Sequence, residues 1–215
     1  MKKFKQYLLV VLFVIGVGFS CGLTLKAAIG VGAWDALAQT GYEITGIEVG
    51  TVGMITNFVC VFIQIIVLKK EFRLVQLFQI PLSFILGIVV NFAVYDVYAM
   101  FSINNYFMNV VLLITGYILC SFMVGAVMVL DQVTFALEGA CMAVSKKTGI
   151  EFHKLRTGVD VVSVILGISL AFIFNVPLAI REGTIIGMII FGPSMGVFMR
   201  YQKKWFKKLN LLDYE

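Results

Sequence analysis

Residues 106–130 read YFMNVVLLITGYILCSFMVGAVMVL, an apolar run of 25 residues without a single charged side chain. A helix needs about 20 mostly apolar residues to cross the roughly 30 Å of hydrocarbon in a bilayer. The run is therefore predicted to be a membrane-spanning helix. Outward from it, five more apolar runs of similar or slightly shorter length predict further spans at 7–25, 49–68, 74–95, 159–176 and 184–199.

The composition excludes an ordinary water-soluble domain. Hydrophobic residues make up 60% of the chain and charged residues only 13%, whereas a soluble domain has about 45–50% apolar and about 25% charged residues. With only three prolines and no low-complexity linker, residues 1–215 are predicted to form a single all-α transmembrane domain.

The basic residues predict the orientation. If six spans alternate from a cytoplasmic N-terminus, 15 of the 17 lysines and arginines lie in cytoplasmic segments. The two exceptions are Lys26 and Arg181. Basic residues resist translocation, so this bias indicates that both termini are cytoplasmic. The membrane also explains the net charge of +5, and no nucleic-acid partner is expected.

The two halves of the chain resemble each other. A shift of 103 residues places the TGIE sequence of 45–48 on the TGIE of 148–151, Asp35 on Glu138, and Asn57 on Asp160. The interpretation is two three-helix repeats, about 7–96 and about 106–201, followed by a basic C-terminal tail at 202–215. Because three is odd, the second repeat enters the membrane from the opposite side. Inverted repeats of this kind are common in transporters.

Polar residues interrupt the connections after the first and fourth spans, where short helices are expected at 33–42 and 131–145. In the first helix Asp35 shares a face with Gln39, and in the second Asp131 shares a face with Glu138. Two arrangements fit this pattern. The helices either lie at the membrane interface with their polar faces in water, or re-enter the membrane beside a polar cavity.

Asp160 lies inside the fifth predicted span, and its counterpart Asn57 lies inside the second. Ionisable residues within spans usually face a bundle interior or a water-filled cavity. Alternatively, Asp160 pairs with Arg156, four residues earlier, at the headgroup boundary. The candidate substrate-binding or ion-binding residues are Asp35, Asn57, Asp131, Glu138 and Asp160.

Catalytic and metal-binding motifs are missing from the sequence. His153 is the only histidine, and the four cysteines lie in apolar surroundings without the spacing of metal ligands. No nucleotide-binding or hydrolase fingerprint occurs. We therefore expect neither an enzyme nor a bound cofactor or metal.

Residues 22–35, GLTLKAAIGVGAWD, are followed by Thr45-Gly46 and Gly50-Thr51. This pattern resembles the YczE group of bacterial integral membrane proteins, which is related to the membrane portion of the YitT family. Trp34 and Asp35 match the group's pattern, whereas Ala33 stands where proline is common. The resemblance implies a bacterial plasma membrane but brings no established activity and no binding residues.

The expected function is that of a small secondary transporter or permease-like protein with a central polar cavity for an unknown small molecule or ion. With 215 residues, the working unit could be a homodimer within the lipid bilayer. Two alternatives stay open. One is a substrate-binding subunit that works with a separate energy-coupling partner, and the other is a non-transporting membrane factor that supports another complex.

Overall fold

The computed structural model describes residues 2–103 and 105–212, and all regular structure in these ranges is helical. Its α-helices are α1 (Lys2–Lys26), α2 (Ala33–Thr45), α3 (Val49–Leu68), α4 (Gln79–Asn91), α5 (Tyr106–Leu130), α6 (Ala136–Thr148), α7 (Phe152–Phe174) and α8 (Glu182–Lys208). Short 3₁₀ and π turns extend α4 at both ends, so that Leu74–Met100 forms one long helical segment.

Among the described residues, six helices are long and apolar enough to cross a membrane: α1, α3, extended α4, α5, α7 and α8. The predicted ends of α3 and α5 are confirmed. The predictions for the last two spans were too short, because α7 begins at Phe152 and α8 continues to Lys208. Hydropathy marks only the mostly apolar part of a helix, whereas charged and polar residues continue the same helix beyond it. Much of the predicted basic tail is therefore helical, and its residues 213–215 lie outside the described residues.

The outer surface of the helix bundle is apolar. Phe62, Phe172 and Ile189 are 61%, 74% and 66% exposed, which is the reverse of what water requires but suits contact with lipid chains. Together with the six long helices, this surface identifies a polytopic membrane protein.

The centre of the bundle is formed by α1 and α5, with α4 packed against α1 and α8 packed against α5. Close approach depends on small residues: a β-carbon at Gly18 would lie 2.6 Å from Val89, and one at Gly22 would lie 2.7 Å from Ala93. These glycines therefore let α1 pack closely against extended α4.

Both chain ends lie on one side of the bundle, which we call the terminal side. Gln6 Nε2 donates a hydrogen bond of 2.6 Å to the carbonyl oxygen of Leu211, so the start of α1 and the end of α8 are neighbours. An even number of spans requires this arrangement. The opposite side is called the far side below.

The short helices α2 and α6 are packed between spanning helices. α2 lies against α7 and α3, and α6 lies against α3 and α7. Thr40 and Ala36 of α2 are fully buried, as is most of the first half of α6. Burial on more than one face favours re-entry into the membrane over a position on its surface.

The predicted start of the second short helix was wrong. Asp131 has a left-handed backbone conformation with φ 48°, and it ends α5. Residues 132–135 are not helical, and α6 begins only at Ala136. Asp131 therefore does not share a helical face with Glu138, although the spacing in the sequence suggested that it would.

The local geometry of the two TGIE sequences is the same. Gly46 and Gly149 end their helices with φ, ψ of 72°, 3° and 74°, 1°. Each donates its N–H to the carbonyl oxygen four residues earlier. Thr45 and Thr148 also donate their hydroxyls to the carbonyl four residues earlier, at 2.7 and 2.9 Å. Glycine suits both positions because it has no β-carbon to oppose positive φ. The similarity of the two halves thus extends from sequence to hydrogen bonding.

Candidate functional site

A cavity of about 480 Å³ lies inside the bundle, surrounded by spanning helices and by the first turns of α2 and α6. Its volume falls within the roughly 300–1,000 Å³ typical of small-molecule sites. The wall is mostly apolar, with a cluster of charged and amide side chains on one part of it. These polar residues are Asp35, Asn57, Glu138, Arg156 and Asp160.

The helices α2 and α6 leave the cavity in opposite directions. Tyr42, near the end of α2, packs against Tyr95 with ring centroids 6.0 Å apart, close to the far side. At the end of α6, Lys146 forms an ion pair of 2.8 Å with Glu71, close to the terminal side. The N-terminal ends of both helices therefore point into the cavity from opposite sides of the membrane, an arrangement known from transporters with discontinuous helices.

Asp35 and Glu138 occupy the same position in their helices. Helix α2 begins at Ala33 and α6 begins at Ala136, so each acid is the third helical residue. The N-terminus of a helix carries a positive partial charge of about half a unit, which stabilises acidic side chains in the first turn. The shift of 103 residues seen in the sequence thus corresponds to two equivalent acids at one cavity.

The loop at 27–32, which leads into α2, is fixed by hydrogen bonds to the start of α8. Gly30 has φ 111°, a conformation that side chains oppose. The loop is attached to the start of α8, because Gly183 N donates a hydrogen bond of 2.8 Å to Ile29 O. Arg181 Nη1 also donates one of 3.0 Å to Ala28 O. These bonds position the first turn of α2 at the cavity.

Two buried glutamines position the start of α6. Gln64 Nε2 of α3 donates hydrogen bonds to Gln79 Oε1 at 2.7 Å and to Ala136 O at 3.1 Å. Gln64 is completely buried and Gln79 is 2% exposed. These amides therefore form hydrogen bonds between helices, a common role of amide side chains inside membrane bundles.

Arg156 links two of the predicted acids. Its Nε donates to Glu138 Oε1 at 3.3 Å, and its Nη1 donates to Asp160 Oδ1. The three side chains are only 19–26% exposed. The pair expected between Arg156 and Asp160 exists, and it lies in the wall of the cavity.

Asp35 differs from these acids because its carboxylate has no hydrogen bond and no ion pair within the described residues. It is nevertheless close enough to Arg156, Asp160 and Glu138 to interact with their charges. Asn57, which also lines the cavity, likewise makes no side-chain hydrogen bond in the described part of the chain. Both side chains are therefore available to a bound molecule.

Asp131 is the predicted site residue that lies apart from the cavity. It is exposed at the end of α5. Conversely, the sequence interpretation did not include Arg156 or the aromatic residues of the wall, Trp34, Tyr117 and Phe191. Two signals in the sequence could have indicated these residues. Arg156 lies four residues before Asp160, and Trp34 lies directly before Asp35.

Among the described residues, no group of three histidine, cysteine, aspartate or glutamate side chains is arranged to hold a metal ion. No curated protein and no solved structure matched the chain. Residues 4–200 match the model of a family of unknown function, DUF6198. Since this match covers most of the chain, the protein belongs to the DUF6198 family.

Proposed function

We propose that the protein is a small secondary transporter and that its central cavity binds the transported solute together with, or in exchange for, a proton or another cation. The observation that carries this proposal is the meeting of the N-terminal ends of α2 and α6 at one polar cavity. Transporters built from inverted repeats place their sites at such discontinuous helices.

The side chains divide the task between them. Arg156 holds Glu138 and Asp160 in place, whereas Asp35 is free to accept a proton or to pair with a cation. Asn57 adds a donor and an acceptor for a neutral polar group. Because α2 leads to the far side and α6 leads to the terminal side, movement of one repeat against the other would expose these groups to each side in turn.

The setting that fits this activity is a plasma membrane with both termini in the cytoplasm, as the distribution of basic residues predicts. No covalent chemistry is proposed, since the cavity presents acids, an amide and a guanidinium without an activated nucleophile. The protein would bind and release its solute unchanged.

The test is charge movement by the purified protein in proteoliposomes on a solid-supported membrane. Concentration jumps of protons, sodium, potassium, amines and amino acids would be applied in both directions. The wild type should give currents with at least one of these solutes, and Asp35→Asn and Glu138→Gln should abolish them.

The matched control is Asp131→Asn, which removes an acid outside the cavity at a left-handed position that asparagine tolerates. Its currents should equal those of the wild type. Silence of the folded wild type towards every solute would refute transport by the chain alone, and capture of a partner protein would then favour a binding subunit or an accessory factor. Loss of current in Asp131→Asn would refute the assignment of the site.

A further inference from the structure

The two halves of the bundle differ in how their last two helices meet. In the first half, α3 and α4 are in close contact, because a β-carbon at Gly50 would lie 2.2 Å from the Gly87 carbonyl oxygen. Asn91 strengthens the contact by accepting a hydrogen bond of 2.7 Å from Gly50 N and donating one of 2.9 Å to Thr51. The cavity is therefore closed on this side.

In the second half, α7 and α8 make no comparable contact in the described part of the chain. The shift of 103 residues places His153 where Gly50 stands, and its exposed ring pairs with Glu151 at 3.2 Å. A β-carbon at Gly158 of α7 or at Gly192 of α8 would meet no atom within 4 Å. The glycine contact that closes α3 against α4 is thus missing between α7 and α8.

The cavity reaches the outer surface at this place. Thr157 of α7 and Met188 of α8 line the cavity, yet Thr157 is exposed and Met188 is 52% exposed. Thr157 is five residues, about 7.5 Å, along α7 from Phe152. Beyond it on the same helix, Val162 and Ile165 are 53% and 57% exposed, as expected of a surface that faces lipid chains. The opening between α7 and α8 therefore faces the bilayer.

The charge of the cavity selects what could enter. Its wall carries three carboxylates and one guanidinium, which gives a formal charge of −2. The two helix N-termini contribute about +0.5 each, which leaves roughly one negative charge. The rest of the wall is mostly apolar and includes Trp34, Tyr117 and Phe191, whose ring faces attract cations.

We infer that the cavity takes an amphiphilic monovalent cation, an amine or quaternary ion with an apolar body, which enters from the bilayer between α7 and α8 and pairs with Asp35. The inference rests on the proposed transport function, for which it names the substrate class and the route. An apolar body suits both the lipid-facing opening and the aromatic wall, and a single positive charge balances the cavity. Asp35 is the partner because it is the one cavity acid not already paired with Arg156.

The route can be tested by tryptophan quenching. Trp34 lines the cavity, and Trp205 is the other tryptophan of the chain, so Trp205→Phe leaves one reporter. In bilayers of lipids brominated on the acyl chain, Trp34 fluorescence should fall relative to the same lipids without bromine. Filling the opening with Thr157→Phe should reduce this quenching, whereas Ile165→Phe, at a position that is also exposed on α7 but outside the cavity, should not.

Two results would overturn the lateral route. In the first, acrylamide in the water quenches the fluorescence of Trp34, whereas brominated lipid chains do not. The other is equal quenching by brominated lipid with and without Thr157→Phe, which would mean that lipid chains approach Trp34 elsewhere.

The substrate class can be tested with tetraphenylphosphonium, a lipophilic cation, and tetraphenylborate, an anion of the same shape. In lipid nanodiscs, the cation should bind the wild type and Asp131→Asn alike, and Asp35→Asn should weaken binding at least about tenfold. Equal binding of the anion, or unchanged binding by Asp35→Asn, would refute a cation site at Asp35.

The inference and the proposed function fail in different ways. Currents with inorganic ions or hydrophilic solutes, without binding of tetraphenylphosphonium, would refute the amphiphilic substrate while leaving transport intact. Binding of tetraphenylphosphonium that depends on Asp35, without current from any solute, would support the site and refute transport.

Discussion

Replacing Gly50 by alanine would place a methyl group where α3 meets α4. The added β-carbon would lie 2.2 Å from the Gly87 carbonyl oxygen and 2.5 Å from Asn91 Oδ1, whereas ordinary contact begins at about 3.4 Å. The Gly87 oxygen belongs to the backbone, and the Asn91 side chain is held by two hydrogen bonds, so neither can easily move aside. The two helices would therefore have to separate by about 1 Å at this point.

The cost follows from two effects of this separation. The hydrogen bond from Gly50 N to Asn91, now 2.7 Å long, would stretch beyond bonding distance, with a net loss of about 1 kcal/mol. A gap of 0.5–1 Å forfeits a quarter to a half of each van der Waals contact across it, and forced overpacking typically costs about 1–3 kcal/mol. We therefore expect Gly50→Ala to reduce the free energy of unfolding by about 2–4 kcal/mol.

The assay is unfolding of the purified protein in mixed micelles with increasing dodecyl sulfate, followed by circular dichroism. Gly158→Ala is the matched control, because a β-carbon there meets no atom within 4 Å. Alanine is the better helix former by about 1 kcal/mol, so the control should be neutral or slightly stabilising. Equal stability of the two variants would refute the close contact of α3 with α4.

Three further outcomes are expected. Arg156→Gln should lower the free energy of unfolding by about 2 kcal/mol, a value between those for exposed and fully buried ion pairs. Neutralising Glu138 and Asp160 in the same variant should restore most of this loss. Additive losses in the same unfolding assay would contradict the ion-pair network. Gln64→Leu should lower the free energy of unfolding by about 1–3 kcal/mol, because the buried Ala136 carbonyl oxygen loses its hydrogen-bond donor. Limited proteolysis should then cut the chain near α6. An unchanged cleavage pattern would contradict the role of Gln64 in positioning α6. Lowering the pH should weaken binding of tetraphenylphosphonium, because protons compete for the Asp35 carboxylate, and titrations at several pH values should show no such dependence in Asp35→Asn; equal pH dependence in that variant would place the competing group elsewhere.

The spanning helices were largely predictable from the sequence, because a helix that crosses hydrocarbon must be predominantly apolar over about 20 residues. The ends of α3 and α5 agree with the prediction to the residue, since polar residues or turns flank both runs. Helix α7 begins before its predicted start, with Arg156 preceding the apolar run, and α8 continues past its predicted end, with Lys203 following the run. Hydropathy misses helical residues whose polar side chains face a cavity or water, because such residues need not be apolar.

The predicted site was mostly brought together. Asp35, Asn57, Glu138 and Asp160 line one cavity, as the alignment of the two halves suggested. Asp131 was placed on the face of Glu138 by spacing alone, and spacing has meaning only within one continuous helix. The left-handed conformation of Asp131 breaks that continuity.

By itself, the sequence determined the six spans, the similarity of the two halves and the identity of the three cavity acids. These properties depend on local composition and periodicity, so they can be read from residues that are close together in the sequence. Tertiary structure alone decided that Arg156 also pairs with Glu138, while Asp35 has no partner among the described residues. It also decided that α3 closes on α4 while α7 leaves α8 apart. Such pairings depend on distances between segments far apart in the chain, and a gap between helices is a property of two surfaces together.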